Sequence, residues 1–168
     1  MLIYHPAFDI YNCVFRILQL LSHMKQEEVE VDRLRIWDFY LTFPNEARNI
    51  SYPATLSELK SIFKKKAPNP YEDLIDSKRI IERMKSYQLS ALKYLASYGL
   101  IDSTLLAKNI VRRTIKEIPS ELSSKFNELT IEKQNVIKLI VGFWELPLYG
   151  KYGLKDRTGL IEFKYDQR

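Results

Sequence analysis

A single cysteine, Cys13, leaves no internal disulfide, and with only His5 and His23 the chain lacks the clustered ligands of a usual Cys/His zinc site. Glycine is scarce, 5 of 168 residues, and proline contributes 7, which favours helices over a turn-rich sandwich. No run approaches the roughly 18 apolar residues of a membrane span, and the opening MLIYHPAFD lacks the basic-then-apolar order of a secretory signal. A soluble cytoplasmic protein without membrane contact is therefore expected. Missing too are the GxxxxGK[ST] phosphate loop, an HExxH helix and a GxSxG elbow, so the familiar signatures of P-loop hydrolysis, zinc proteolysis and serine hydrolysis are not available. There is no internal repeat, heptad run or low-complexity tract.

What is present is ordinary globular material: 46% hydrophobic and 28% charged residues in 19.9 kDa. That suits one compact domain, or a small domain with an appendage, and is too short for a self-contained SMC ATPase or polymerase. A net charge of +5 and a pI of about 9.2 are compatible with contact to nucleic acid or to an acidic protein surface. The aromatic complement of 11 Tyr, 8 Phe and 2 Trp serves equally for a core and for an interface, since both favour large rings.

Hydrophobic spacing predicts a mainly α fold with minor β. Asp9 is placed to cap a helix over 10–24 with Ile10, Cys13, Val14, Ile17, Leu18 and Leu21 at intervals of three and four, which puts Cys13 in the core. The acidic run Glu27, Glu28, Glu30, Asp32 reads as a solvated link. A second helix follows from Arg33 to Phe43 and is stopped by Pro44. Thr55 and Glu58 have the spacing of a capping box for a short helix, which runs into Lys64, Lys65 and Lys66 and a Pro-Asn-Pro break. Residues 77–98 form a long helical pattern with an expected interruption near Ser86, ending at Gly99 in the left-handed position that terminates helices. A strand is expected at 110–114, helices at 119–126 and 130–144, and a turn-rich tail ending in a strand around 160–164. The regions are 1–66, an N-terminal helical part; 67–115, a winged-helix-like unit; and 116–168, C-terminal helices and a terminal strand, packed together as one body.

Two constellations invite a catalytic reading. His5 lies four residues from Asp9, but Pro6 intervenes and no nucleophile is marked, so local capping is the better account. Asp156, Glu162 and Lys164 approximate the D…ExK pattern of metal-dependent nucleases, but the Arg157–Ile161 interval is short for two adjacent strands. A solvated terminal strand is the preferred account. Among the basic residues, Arg79, Arg83, Lys85, Lys93, Arg112 and Arg113 are the nucleic-acid candidates, flanking a duplex if 77–115 is a winged helix. Their setting among Tyr87, Leu89, Leu92 and Tyr94 is apolar for base readout.

The opening Tyr4-His5-Pro6-Ala7-Phe8-Asp9-Ile10-Tyr11, followed by Phe15-Arg16-Ile17-Leu18, resembles the start of the middle components of bacterial ABC three-component systems. The resemblance continues through Leu34 to Pro44, Asn69 to Leu74, Ala91 to Asp102, Glu145 to Leu148 and Gly153 to Leu160. It implies a non-enzymatic accessory subunit of Lamassu-type antiphage defence, without catalytic residues or cofactor of its own. Such a subunit would dock on an SMC/Rad50-like ABC ATPase and help couple DNA sensing to an effector subunit, often a nuclease. Tyr4, Phe8, Tyr11, Trp37, Tyr40 and Trp144 are then candidate aromatic anchors, and Arg16, Arg35, Lys155 and Arg157 candidate charges facing the partner. The competing placement puts Trp37 and Trp144 in the core and pairs Arg16 and Arg35 internally with Asp9 or Asp38. Self-association of the isolated chain is compatible with unused hydrophobic surface, and weak direct DNA contact with the basic clusters. A stand-alone winged-helix transcription regulator is the alternative function, and a small nuclease built on Asp156, Glu162 and Lys164 a third.

Overall fold

The computed structural model describes residues 4–65, 67, 69, 73, 74 and 76–162. Lys66 of the lysine run, Pro68 and Pro70 of the expected break, and Phe163 and Lys164 of the expected terminal strand lie outside the described residues. The architecture is mainly helical with one small antiparallel sheet.

A 3-10 turn at Pro6–Phe8 leads into α1, Ile10–His23. Asp9 caps α1 by accepting the amide protons of Tyr11 at 2.8 Å and Asn12 at 3.4 Å, and His5 caps the preceding turn through Nδ1, which accepts from Ala7 N–H at 3.1 Å. The His5/Asp9 spacing thus serves two successive caps. The acidic link is not solvated coil: Glu28–Glu30 forms strand β1, with Val29 only 1% exposed between two carboxylates. The alternation is short, but its single inward residue is enough to anchor the strand.

Helix α2, Val31–Thr42, is buried at every position from Arg33 to Leu41. A helix enclosed all round is the centre of its fold. Pro44 ends it as expected, opening a 3-10 turn over Pro44–Asn49. A further 3-10 turn, Ala54–Leu56, precedes α3, Ser57–Lys64; Leu56 occupies the cap position and the Thr55 capping box does not form. Helix α4, Ser77–Ser97, runs 21 residues through Ser86 without a break. Serine costs a helix interior only a few tenths of a kcal/mol, and Ile81, Met84, Gln88, Ala91, Leu92 and Leu95 keep a continuous buried stripe on both sides of it. Gly99 then adopts φ +76°, the left-handed terminator its position required.

Beyond Gly99, a one-turn helix α5, Ser103–Leu106, separates Ile101 from strand β2, Ile110–Arg112. Ile101 bridges Arg113, and β2 pairs antiparallel with β1 in the register Glu28↔Arg112, Val29↔Val111, Glu30↔Ile110. The segment 77–115 therefore does not close a sheet by itself, because its strand is completed by β1 from the N-terminal region. The short helix α6, Ser120–Ser123, precedes α7, Ile131–Gly142, capped by Thr130. In the tail, α8, Leu154–Thr158, forms where only turns were expected, and Leu160–Glu162 is not a strand.

Helices α1, α2, α4 and α7 pack around one core to which all three sequence regions contribute. A line of buried polar groups crosses it. Asp38 on α2 is 0% exposed; it accepts from Arg16 Nε on α1 at 2.6 Å and Nη2 at 3.3 Å, and from Gln88 Nε2 on α4 at 2.8 Å. Gln88 Oε1 accepts from Arg35 Nε at 3.0 Å, Arg35 Nη1 reaches Asp32 at 3.1 Å, and Asp32 pairs with Lys155 Nζ of α8 at 2.8 Å. One path of charge and hydrogen bond thereby joins four helices.

Removing one partner of a buried pair leaves the other uncompensated, a loss of about 3–5 kcal/mol. Asp38→Ala is expected to destabilise the chain by that amount, whereas Arg16→Met with Asp38→Leu loses far less; urea unfolding measures both. At the Asp32 end, burial opposes ionisation, but the hydrogen bond and charge of Lys155, helped by Arg35, outweigh it and hold the carboxyl below its usual range. A lowered carboxylate contributes stability above its unfolded value and loses it as pH falls through the folded value. Thermal melts below about pH 4 should therefore fall less steeply in Lys155→Met than in the wild type; equal slopes would contradict the coupling.

Candidate protein-interaction surface

The spacing of Arg79, Arg83, Tyr87, Tyr94 and Tyr98, at intervals of four, four, seven and four, places them in one stripe along α4. Helix α1 packs beside α4 and adds Tyr11, while the turn before α1 adds Phe8. Arg83 lies over the Phe8 ring at 4.4 Å, and Phe8 meets Tyr87 at 6.0 Å between ring centroids. Farther along, the Tyr94 and Tyr98 rings are 5.0 Å apart, and Lys116 sits 5.4 Å over Tyr98 with its Nζ donating to the Tyr98 carbonyl. The Tyr94 hydroxyl is held above its ordinary pKa first by its hydrogen bond with Tyr98, and Tyr11 is close enough to contribute to the same shift.

This strip is open to solvent. Tyr11 is 81% exposed, Tyr98 55% and Tyr94 43%, and Ile115, next to Lys116, is fully exposed. Tyr4 is also exposed; its hydroxyl donates to Asp9 at 2.6 Å and accepts from Asn12, which fixes the ring beside the start of α1. Along α4 the stretch from Arg83 to Tyr98 is about 22 Å long at 1.5 Å per residue. Single exposed hydrophobics are ordinary on a soluble protein, but a contiguous aromatic row is the usual mark of an interaction site.

The other expected partner-facing residues sit elsewhere. Trp37 and Tyr40 are 1% and 2% exposed; Trp37 meets Phe143 edge-on at 5.9 Å, so its ring surface is spent on the chain's own core. Arg16 and Arg35 belong to the buried polar line, with Arg16 paired to Asp38 as the internal alternative held. Lys155 is buried against Asp32 and lies 5.0 Å over the Tyr149 ring. Trp144 is half-buried beside Ile140 and Val141, and its carbonyl accepts from Gln26. Arg157 is half-buried and ties two segments together, donating to the carbonyls of Tyr152 at 2.7 Å and Ser51 at 3.0 Å. Tyr94 and Tyr98 were missed as anchors, although their i, i+4 spacing with Tyr87 upstream was the available signal.

The nucleic-acid candidates do not form one face. Arg79, Arg83 and Lys93 are exposed on α4, while Lys85 turns toward a cleft on its other side. Arg112 lies 3.6 Å from Glu28 across the sheet, and Arg113 donates to the Leu100 and Lys116 carbonyls. The cleft, about 490 Å³, is lined by carboxylates and cations alike, among them Asp32, Arg35, Glu82, Lys85, Lys155 and Glu162. Asp156 stands on α8 and accepts from the Tyr152 amide, not on a strand facing Glu162, and Lys164 lies outside the described residues. Among the described residues no group of three or more His, Cys, Asp and Glu side chains converges as metal ligands would, and no helix is long and apolar enough to cross a membrane. Cys13 faces Asp38 in the core, and burial pushes its thiol far above the range of a reactive nucleophile.

Residues 2–166 match the family described as ABC-three component (ABC-3C) system Middle Component 5. No curated protein and no solved structure matches.

Proposed function

The chain belongs to the middle component 5 family of ABC three-component systems, an accessory role within a multi-component system, and from that premise we propose that it docks on an SMC/Rad50-like ABC ATPase. In this reading the chain is non-enzymatic and cytoplasmic. It transmits the state of a DNA-sensing ATPase to an effector subunit, such as a nuclease, in Lamassu-type defence. The ATPase carries nucleotide and Mg²⁺, and the effector carries the destructive chemistry.

The observation that supports this best is the solvent-open aromatic strip on α1 and α4, carried by a chain in which Arg16, Arg35 and Lys155 are paired with its own carboxylates. Interface energy concentrates in Tyr, Trp and Arg side chains that are desolvated on binding. Here Tyr11, Tyr94, Tyr98 and Arg83 offer those side chains on two long helices.

A second reading, a winged-helix DNA-binding regulator, is favoured by one observation. The order α1, β1, α2, α4, the Ile101 bridge and β2 places three helices beside short antiparallel segments, with Arg79, Arg83 and Lys93 exposed on the third helix. Against it, Arg112 and Arg113 at the sheet are already engaged within the chain.

Co-expression with the ATPase encoded beside its gene, followed by size-exclusion chromatography with light scattering, separates the two. Docking predicts co-elution at fixed stoichiometry. Separate elution, with tight and salt-sensitive duplex binding by this chain alone, supports the regulator instead.

A further inference from the structure

Resting on the docking reading above, we infer that the α1/α4 strip is the docking face and that it receives an acidic helical segment of the protein partner. Charge points to the sign of the partner. Arg83 and Lys116 lie over rings of the strip and Arg79 is one turn before Arg83, while the neighbouring carboxylates are Asp9, Asp76, which caps α4, and Glu117. Asp9 is already committed to capping α1 and to the Tyr4 hydroxyl, whose hydrogen bond leads in lowering its pKa. The strip therefore presents cations and aromatic rings to a partner, and like charges there would be repelled.

Shape points to the kind of partner. From Arg83 to Tyr98, with Tyr11 on the neighbouring helix, the strip runs about 22 Å, the length of roughly four turns of a third helix laid along it. The ring faces argue against nucleic acid. Bases stack on open aromatic faces, whereas here Arg83 covers Phe8, Lys116 covers Tyr98, and Tyr94 and Tyr98 pack on each other. What remains outward are the Tyr11 ring, the edges and hydroxyls of Tyr94 and Tyr98, and guanidinium or ammonium groups, which suit carboxylates and apolar side chains of a protein. The polar cleft on the other side of α4 does not compete for this role, because its cations face carboxylates of the chain itself.

The test uses the full chain and the neighbouring ATPase, with affinity measured by biolayer interferometry. Two variant sets are compared with the wild type: Tyr11→Ser with Tyr94→Ser and Tyr98→Ser, and Arg83→Glu with Lys116→Glu. The tyrosine set is expected to weaken binding about 30-fold or more. The charge reversal is expected to weaken it about tenfold, in a manner that shrinks as salt is raised. Thermal melts check folding, and if the tyrosine set melts early, the charge-reversal set decides. Wild-type affinity in both sets overturns the strip and leaves the docking reading standing. A wild-type chain that does not bind the ATPase removes the docking reading itself, and this inference with it. If a labelled single-stranded oligonucleotide is bound more tightly than the ATPase, and the variants lose that binding, the strip is a nucleic-acid surface and the inference is overturned.

Discussion

Asp38 is a carboxylate with no access to water, and the helices are arranged around satisfying it. Arg16 from α1 takes both its oxygens, Gln88 from α4 takes one of them again, and Thr42 bonds the Asp38 backbone carbonyl one turn on. Desolvating a carboxylate and a guanidinium costs several kcal/mol each, recovered only in near-ideal geometry. The wrong register of α1 or α4 against α2 would leave that cost uncompensated. The polar line through Gln88, Arg35, Asp32 and Lys155 extends the same constraint to α8. It acts as a key between helices whose apolar faces alone would pack in more than one way.

This interior use of charge decides what the surface can do. Arg16, Arg35 and Lys155 are occupied within the chain, so their charge is unavailable for steering a partner. Outward cations do lie near aromatic rings at two places, Arg83 and Lys116 along the α1/α4 strip and Lys151 over Tyr152 in the tail. Because Asp38 fixes α1 against α4, it also fixes Tyr11 beside Tyr94 and Tyr98. The strip is pre-organised on two packed helices, and binding to it requires little further ordering.

Much of the fold was legible in the residues. Asp9 and Gly99 act at the helix ends where their chemistry placed them, and Pro44 stops α2. The internal pairing of Arg16 with Asp38 was visible as an option. Other features depended on partners distant in sequence. Val29 makes a strand only because Val111 lies opposite it, and α8 forms where Lys155 finds Asp32 more than a hundred residues away. Trp37 and Trp144, equivalent on paper, differ because one lies on the enclosed helix and the other follows the end of α7. The helix carrying Tyr94 and Tyr98 is apolar on more than one side in sequence, and only the placement of α1 beside it shows that the side with these rings stays open.

The most direct measurement is hydroxyl-radical footprinting of tyrosine side chains in the chain alone and in complex with its neighbouring ATPase. Side-chain oxidation reads the rings themselves, where backbone exchange in α1 and α4 is already slowed by helical hydrogen bonds. The account predicts strong protection of Tyr11, Tyr94 and Tyr98 in the complex, with Tyr149 and Tyr152 unchanged. Protection at Tyr149 and Tyr152, with the α1/α4 tyrosines still oxidised at the free rate, would contradict it.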